Sequence, residues 1–332
     1  MDIFIDARFE PQYRDHPLVL VDVGARGGLK RNWAAARRHL RVLGFEPEQR
    51  EFGQLAGPDS SSEAGTRYFD VALHDRRGPL RLNVARDRGL TSIYQPNRAF
   101  LDSFPDASRF DTVDVHEVQA DRLDDHLQAH GLTDVDFLKV DTQGSELLIL
   151  QGASRVLETA VSGVEVEVEF TPIYSGQPLF AEVDSFLRAQ GFLLFDLRPV
   201  YWKRAAGRAI GGPRGQIIWA DALYLKSTPA LGAATAAPDQ ARRKSKWLKA
   251  ISIAVLYGYF DYALEITRSA PFTPDERTVI EARLHEGGRH QAALPRFPGK
   301  RPVAAAFRRL WKLCLDSDDA WSVSDAELGN LG

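Results

Sequence analysis

Two acidic side chains near the start of this chain stand where a strand hands over to a turn, and their placement suggests a binding chemistry. Residues 18–48 read LVLVDVGARGGLKRNWAAARRHLRVLGFEPE. An apolar strand over Leu18–Val23 runs into a turn holding Gly24, Gly27 and Gly28, then a helix, and a second strand over Leu40–Phe45 ends in Glu46. A β–loop–α–β unit of this kind takes an adenosine-containing cofactor at the carboxyl ends of its strands, with the second acid on the ribose hydroxyls. Asp22 bears on which cofactor. A dinucleotide brings a pyrophosphate to the first turn, where amides and a helix N-terminus favour the anion; an acid two residues before the first glycine repels it. S-adenosylmethionine has no phosphate and carries an ammonium and a sulfonium, which an acid attracts. The spacing Gly24-x-x-Gly27-Gly28 also departs from G-x-G-x-x-G. Glycine between strand and helix also serves plain turn chemistry, so the motif needs support from the rest of the chain.

That support comes from residues 135–153, VDFLKVDTQGSELLILQGA, where a strand ends at Asp141 and Gly144 permits a tight turn into a helix. With LVDVGARGG, GFEPE and the Leu123–Asp124–Asp125 segment, this resembles the FkbM-type family of S-adenosylmethionine-dependent methyltransferases. The likeness spans roughly residues 15–226 and leaves the C-terminal third unmatched. Arg26 stands where the family usually has Asn, and Gln143 where it usually has Glu, which removes a carboxylate near the expected site. The resemblance implies an α/β class I methyltransferase (Rossmann-like) fold: a doubly wound, mostly parallel seven-stranded sheet with its last strand antiparallel. It further implies O-methylation, often of sugars in polysaccharides or of natural products. A cofactor set of Asp22, Gly24, Ala25, Arg26, Gly28, Glu46, Pro47, Asp141 and Gln143 follows, with no metal.

Methyl transfer to a hydroxyl needs alignment, exclusion of water and a base within hydrogen-bond reach. Asp141, at the end of a central strand, is the first candidate; it would equally serve as a helix N-cap. In Gly163–Thr171, GVEVEVEFT, the valines face one way and Glu165, Glu167 and Glu169 the other. Buried acids need partners, so a Lys139–Glu167 cross-strand pair is expected. Glu169, nearest the carboxyl end, divides between a catalytic and a structural role. His74 would either assist a proton or hydrogen-bond in its loop. His126 and His130 have metal-ligand spacing but no companions, so a solvated helix face is expected. Thr91, Ser92, Tyr94, Tyr174, Tyr201 and Trp202 are acceptor-side candidates, although loop aromatics more often simply pack.

The elements that must position these groups alternate from residue 18 to about 200. Further strands are expected at Arg67–Leu73, Pro79–Ala85, Val135–Asp141, Gly163–Phe170, Phe192–Leu197 and Ile217–Lys226, with helices at Asp121–His130, Gly144–Thr159 and Phe180–Gln190. A Gly/Ser-rich loop covers Gly57–Gly65, and a basic, glycine-rich segment Lys203–Gly215. The polar stretch Arg86–Ser108 has no periodicity and suits a lid. Strands separated by helices imply a parallel sheet covered on both faces. The methyltransferase domain is placed at 1–228, an Ala/Pro-rich linker at 229–241, and a helical region at 242–332.

In the last region Leu248, Ile251, Val255, Tyr259, Tyr262 and Ile266 share one helical face. Further helices are expected from Thr273 and over Val303–Leu315. Arg242, Arg243, Lys244 and Lys246, and later Arg301, Arg308, Arg309 and Lys312, suit a partner subunit, the chain's own core or an anionic membrane surface. At 332 residues, with 44% apolar and 26% charged residues, the chain has material for a sizeable core. A net charge of −3 gives no reason to expect nucleic acid. The lone Cys314 and the acidic start MDIFIDARFE suggest a cytoplasmic protein, at the inner membrane face if the basic helices bind lipid. The expected partner is a carbohydrate or small-molecule hydroxyl acceptor, and self-association stays open. An inactive cofactor-binding scaffold, a natural-product methyltransferase and a nicotinamide enzyme are the competing readings.

Overall fold

The computed structural model describes residues 7–26, 28–55, 65–132, 134–207, 214–234, 239–290, 298–314, 321–324 and 328. Gly27, most of the Gly57–Gly65 loop and residues 208–213 lie outside the described residues. The strands are β1 (Leu18–Val23), β2 (Leu40–Phe45), β3 (Thr66–Phe69), β4 (Ala72–Leu73), β5 (Gly78–Ala85), β6 (Thr112–Asp121), β7 (Phe137–Val140) and β8 (Gly163–Glu169). After them come β9 (Phe192–Trp202), β10 (Gln216–Lys226) and the short β11 (Ser322–Ser324). The main sheet runs β11-β9-β10-β8-β7-β1-β2-β3, eight strands, with a second sheet ordered β4-β6-β5. β10 is antiparallel to both β8 and β9, and the pairs from β8 through β3 are parallel. This is the expected seven-stranded, mostly parallel sheet with an antiparallel last strand, and β11 adds an eighth at one edge. β1 sits between β2 and β7, so the winding direction reverses there, which is where an open α/β sheet forms its crevice.

One face of the sheet is covered by α4 (Leu123–Ala129), α5 (Glu146–Gly152), α6 (Ser154–Thr159) and α7 (Phe180–Ala189). Val21, Val23, Val140, Val164, Val166 and Val168 bury there with Ile149, Leu150, Leu157 and Leu187. The opposite face carries Leu18, Leu20, Phe137, Leu223 and Leu225. It is covered by α1 (Glu10–Asp15), a 3-10 helix over Arg31–His39, and α9 (Gln240–Leu256), α10 (Phe260–Ser269) and α11 (Pro274–His290). Each fully buried Leu or Phe side chain is worth ~1.5–3 kcal/mol of transfer free energy, so both coverings are stabilising.

The C-terminal helices therefore share the sheet's core. Leu248, Ile251, Tyr262 and Ile266 are buried in the same cluster as Leu18 and Phe137. Polar ties reinforce this: Tyr13 Oη lies 2.6 Å from Ser252 Oγ, and Tyr262 Oη donates to the Lys226 carbonyl at 2.6 Å. Asp136 is fully buried, with Lys246 Nζ on one oxygen at 2.6 Å and Lys249 Nζ on the other at 3.0 Å. The basic cluster opening this region thus docks on its own protein. Residues expected as a linker begin inside α8 (Thr228–Ala234), and 235–238 lie outside the described residues. In α12 (Lys300–Cys314), Val303, Phe307 and Leu310 are exposed; the side chains of Arg308 and Lys312 lie outside the described residues.

Several boundaries differ from expectation. The strand over Arg67–Leu73 divides, because Asp70 and Val71 leave the main sheet before β4 joins the second one. β6 went unread because most of its positions are exposed, whatever their alternation. Helices α2 (Gln49–Leu55) and α3 (Arg98–Leu101) are also additional. The segment after the first turn forms a 3-10 helix, whose three-residue period puts Trp33 and Ala36 on one buried side. The helix expected over Gly144–Thr159 breaks at Ala153 into α5 and α6.

Candidate functional site

The carboxyl ends of β1, β2, β7 and β8 open onto one cavity of about 370 Å³. Gly24 closes the β1 turn with φ +73, and a Cβ there would stand 2.0 Å from the Asp141 carbonyl oxygen. Only glycine brings the β1 turn this close to the end of β7. Val71, Ala72, Leu73 and Ile149 form an apolar wall, while Glu46, Pro47, Glu48 and Glu51 line the β2 end.

Charge in the lining is lopsided. Asp141, Glu46, Glu48, Glu51 and Glu167 face the cavity against Arg26 and Arg88. Both arginines are engaged, Arg26 with Glu51 at 3.3 Å and Arg88 with Glu48 at 3.9 Å. Glu46 Oε1 accepts from the Glu48 amide at 3.0 Å. Burial, with Glu51 and Glu48 nearby, pushes the Glu46 carboxyl up to about 7.

At the β7–β8 end the loop 141–146 folds around Glu146. Its Oε1 accepts from Thr142 N at 2.8 Å and Thr142 Oγ1 at 3.0 Å, and its Oε2 from Gly144 N at 2.9 Å. Ser145 caps α5 without a side-chain bond, so Asp141 is not that cap. Gln143 adopts φ 60, a left-handed conformation costing ~1–2 kcal/mol for a non-glycine residue. Its Nε2 donates to Glu167 Oε1 at 2.6 Å and stands 3.4 Å from Asp141 Oδ1, while the Tyr174 hydroxyl donates to its Oε1 at 3.1 Å. Burial first, then surrounding acids including Asp141, raises Glu167 and Glu169 well above the usual carboxylate range.

Among the residues expected in the site, Gly24, Arg26, Glu46, Pro47, Thr91, Asp141 and Gln143 line the cavity. The others lie behind the wall or away from it. Asp22 is buried and accepts from Lys139 Nζ at 2.8 Å, in place of the expected Lys139–Glu167 pair. Glu165 instead takes Lys30 and the Tyr257 hydroxyl, the latter at 2.7 Å. Ala25 is buried and Gly28 holds φ +74 in the turn. Ser92 supports the site from behind, donating from Oγ to the Gln143 carbonyl at 2.6 Å. Tyr94 packs beside Gly144, and Tyr174 is fully buried.

Trp202 ends β9 and is buried with Phe104 and Phe110, since β9 runs past the expected Leu197. Glu169 is buried with Oε1 unpartnered. His74 is buried with Nδ1 2.5 Å from Asp75 Oδ1, and burial lowers its pKa. His126 is not on a solvated face: it packs edge-on against Phe45 and Phe69. Arg88, Glu48, Glu51 and Trp219 went unnoticed. Glu48 closes the GFEPE run and Glu51 stands three residues after it, whereas Trp219 reaches the cavity only through the register of β10 on β8.

The family profile described as "Methyltransferase FkbM domain" matches residues 22–194. The chain belongs to the FkbM methyltransferase family. The 2-O-methyltransferase NoeI of Sinorhizobium fredii (strain NBRC 101917 / NGR234) is 26% identical over 174 residues, 50% of this chain and 70% of that protein. The crystal structure of methyltransferase FkbM from Methylobacillus flagellatus KT is 16% identical, covering 63% of this chain and 43% of that one, at a TM-score of 0.36. This FkbM-family chain thus spans less than half of that protein. Precorrin-6y C5,15-methyltransferase from Geobacter metallireducens GS-15 is 12% identical over 67% of this chain and 87% of its own, with a TM-score of 0.30. The strand order and the family match carry the fold assignment.

Proposed function

We propose that this member of the FkbM methyltransferase family binds S-adenosylmethionine in the described cavity and methylates a hydroxyl of a sugar within a glycan or glycoconjugate. The observation that carries the reading is the acid-rich lining, five acidic side chains against two arginines that are already paired with Glu51 and Glu48. Burial holds part of this acid, Glu46 and Glu167, toward the protonated form, and the arginines are left no free charge for a phosphate. Such a wall opposes a pyrophosphate and favours a ligand that carries cations. Glu46 would hold the ribose hydroxyls, the Gly24 turn and Arg26 would border the methionine moiety, and Val71, Ala72, Leu73 and Ile149 would flank the adenine. Bound S-adenosylmethionine supplies a methyl group already activated on a cationic sulfur. The protein then aligns the acceptor oxygen and keeps water out. A hydroxyl acceptor is supported by the likeness to a 2-O-methyltransferase and by carboxylates at the β7–β8 end of the cavity.

Titration calorimetry of the full chain with S-adenosylhomocysteine and with nicotinamide dinucleotides tests the cofactor, and transfer of a labelled methyl group to a panel of methyl glycosides tests the acceptor. Homocysteine-nucleoside binding, no dinucleotide binding and labelled glycoside are expected. A chain that binds a dinucleotide instead removes the proposal.

A further inference from the structure

We propose that Glu167 takes the proton of the acceptor hydroxyl and that Gln143 is the residue positioning it; this rests on the hydroxyl-methylation reading above. Glu167 is 7% exposed, yet it forms part of the cavity wall. One carboxylate oxygen is committed, Oε1 accepting from Gln143 Nε2 at 2.6 Å. Among the described residues no protein group donates to Oε2. A carboxylate with one oxygen tethered and the other unbound has the arrangement a positioned base needs.

The tether is itself held from two directions. Ser92 Oγ fixes the Gln143 backbone through its carbonyl, and the Tyr174 hydroxyl, its one proton shared between the Leu90 carbonyl at 2.9 Å and Gln143 Oε1 at 3.1 Å, faces the amide oxygen. With Oε1 turned to the Tyr174 hydroxyl, the amide presents its N–H to Glu167. A glutamine does this at neutral pH, whereas an ionised glutamate has no proton to donate.

Neighbouring groups fit the role less well. Glu146 is spent on three donors of its own loop. Glu169 and His74 are absent from the cavity wall. Asp141 also lines the cavity and stands with Glu167 at the β7–β8 end, placed to orient the same hydroxyl. The groups acting on Glu167 are acids from each packed element: Asp141 after β7, Glu146 on α5, Glu169 on its own strand and Asp221 opposite it on β10. Asp221 is compensated by Arg198 at 2.8 Å. Burial among acids raises the proton affinity of Glu167, so the ionised form that takes the proton is populated only above a raised pH, and the acid limb of turnover should lie above the usual carboxylate range.

In the reaction the acceptor oxygen bonds the methyl carbon, and the sulfur–methyl bond breaks with its electron pair left on sulfur. The hydroxyl proton passes to Glu167. One positive and one negative charge are thereby neutralised together.

The test compares the full-length chain with Glu167→Gln, which keeps the Oε1 acceptor for Gln143. Affinity for S-adenosylhomocysteine and the melting temperature should hold, while turnover on the methyl glycoside panel falls by roughly 10²–10⁴. Glu167→Asp, which keeps a carboxylate, should recover part of that loss; a purely structural role predicts no such recovery. Gln143→Glu removes the donor and adds an acid, so the acid limb of the turnover profile should move to higher pH. In pH-difference infrared spectra of the S-adenosylhomocysteine complex, one carboxyl band should vanish in Glu167→Gln. Wild-type turnover in Glu167→Gln, or an unchanged infrared spectrum, overturns the proposal. A wild-type chain that binds S-adenosylhomocysteine but labels no glycoside overturns the hydroxyl reading and this inference with it; loss of glycoside labelling only in the variant separates the two.

Discussion

β8 shows how differently the two faces of the main sheet are built. Val164, Val166 and Val168 point toward α4–α7 into an apolar cluster. On the other side Glu165, Glu167 and Glu169 are also buried, beneath α9 and its neighbours or at the cavity. That second face continues as ion pairs, buried for Lys139 with Asp22 and for Asp136 with Lys246 and Lys249, and closed from the half-exposed side by Lys30 on Glu165. The apolar face needs only volume and period. The ionic face needs named partners, some over a hundred residues away in sequence, because a lone buried charge costs several kcal/mol.

The largest test of this contrast is removal of one covering. A 1–228 fragment uncovers Leu18, Leu20, Phe137, Leu223 and Leu225 and leaves Asp136 without its lysines. The lost burial should exceed the ~5–15 kcal/mol that holds a domain together. Circular dichroism and solubility should therefore report an unfolded or aggregated fragment; a soluble fragment that melts cooperatively would make the C-terminal helices a separable unit.

Single substitutions sharpen the comparison. Asp136→Ala strands two buried lysines and should cost about 3–5 kcal/mol, while Leu157→Ala on the apolar face should cost about 2–5 kcal/mol. Their pH dependence should differ. Burial opposes ionisation of Asp136, but Lys246 and Lys249 outweigh it and hold its carboxyl below the usual range. Its contribution is then complete above the unfolded value of about 3.9 and fades as pH falls through the folded one. Urea unfolding at several pH values should show the Asp136→Ala deficit shrinking in acid and the Leu157→Ala deficit unchanged. Equal pH profiles would erase the distinction.

The smallest effect lies at the cavity. Glu46 is raised to about 7, and ribose hydroxyls donate best to an ionised carboxylate. S-adenosylhomocysteine affinity should thus rise by roughly three- to tenfold from pH 6 to pH 8. A Glu46→Gln chain with the same slope by calorimetry would assign the titration to another group.

Much of this was legible because it is local. The bounds of β1 and β2 follow from apolar runs closed by Gly24 and Glu46, and Glu46 at a strand end faces the cavity by topology alone. The alternation in β8 divides its valines from its glutamates without knowledge of any neighbour. Pairing is another matter. Asp22 and Lys139 both stood out in the sequence, but Lys139 has Asp22 on one flank and Glu165 on the other, and only the order of strands shows that it bonds the first. The helical face of Leu248 and Ile251 was readable as buried, whereas what buries it was decided by Asp136, a residue of β7's approach more than a hundred positions earlier. Gln143 read as a lost carboxylate; folded, it is a donor between Tyr174 and Glu167. Period and residue type determine which side chains must leave water. Which partner then satisfies each buried charge depends on distances that exist only once the chain has closed.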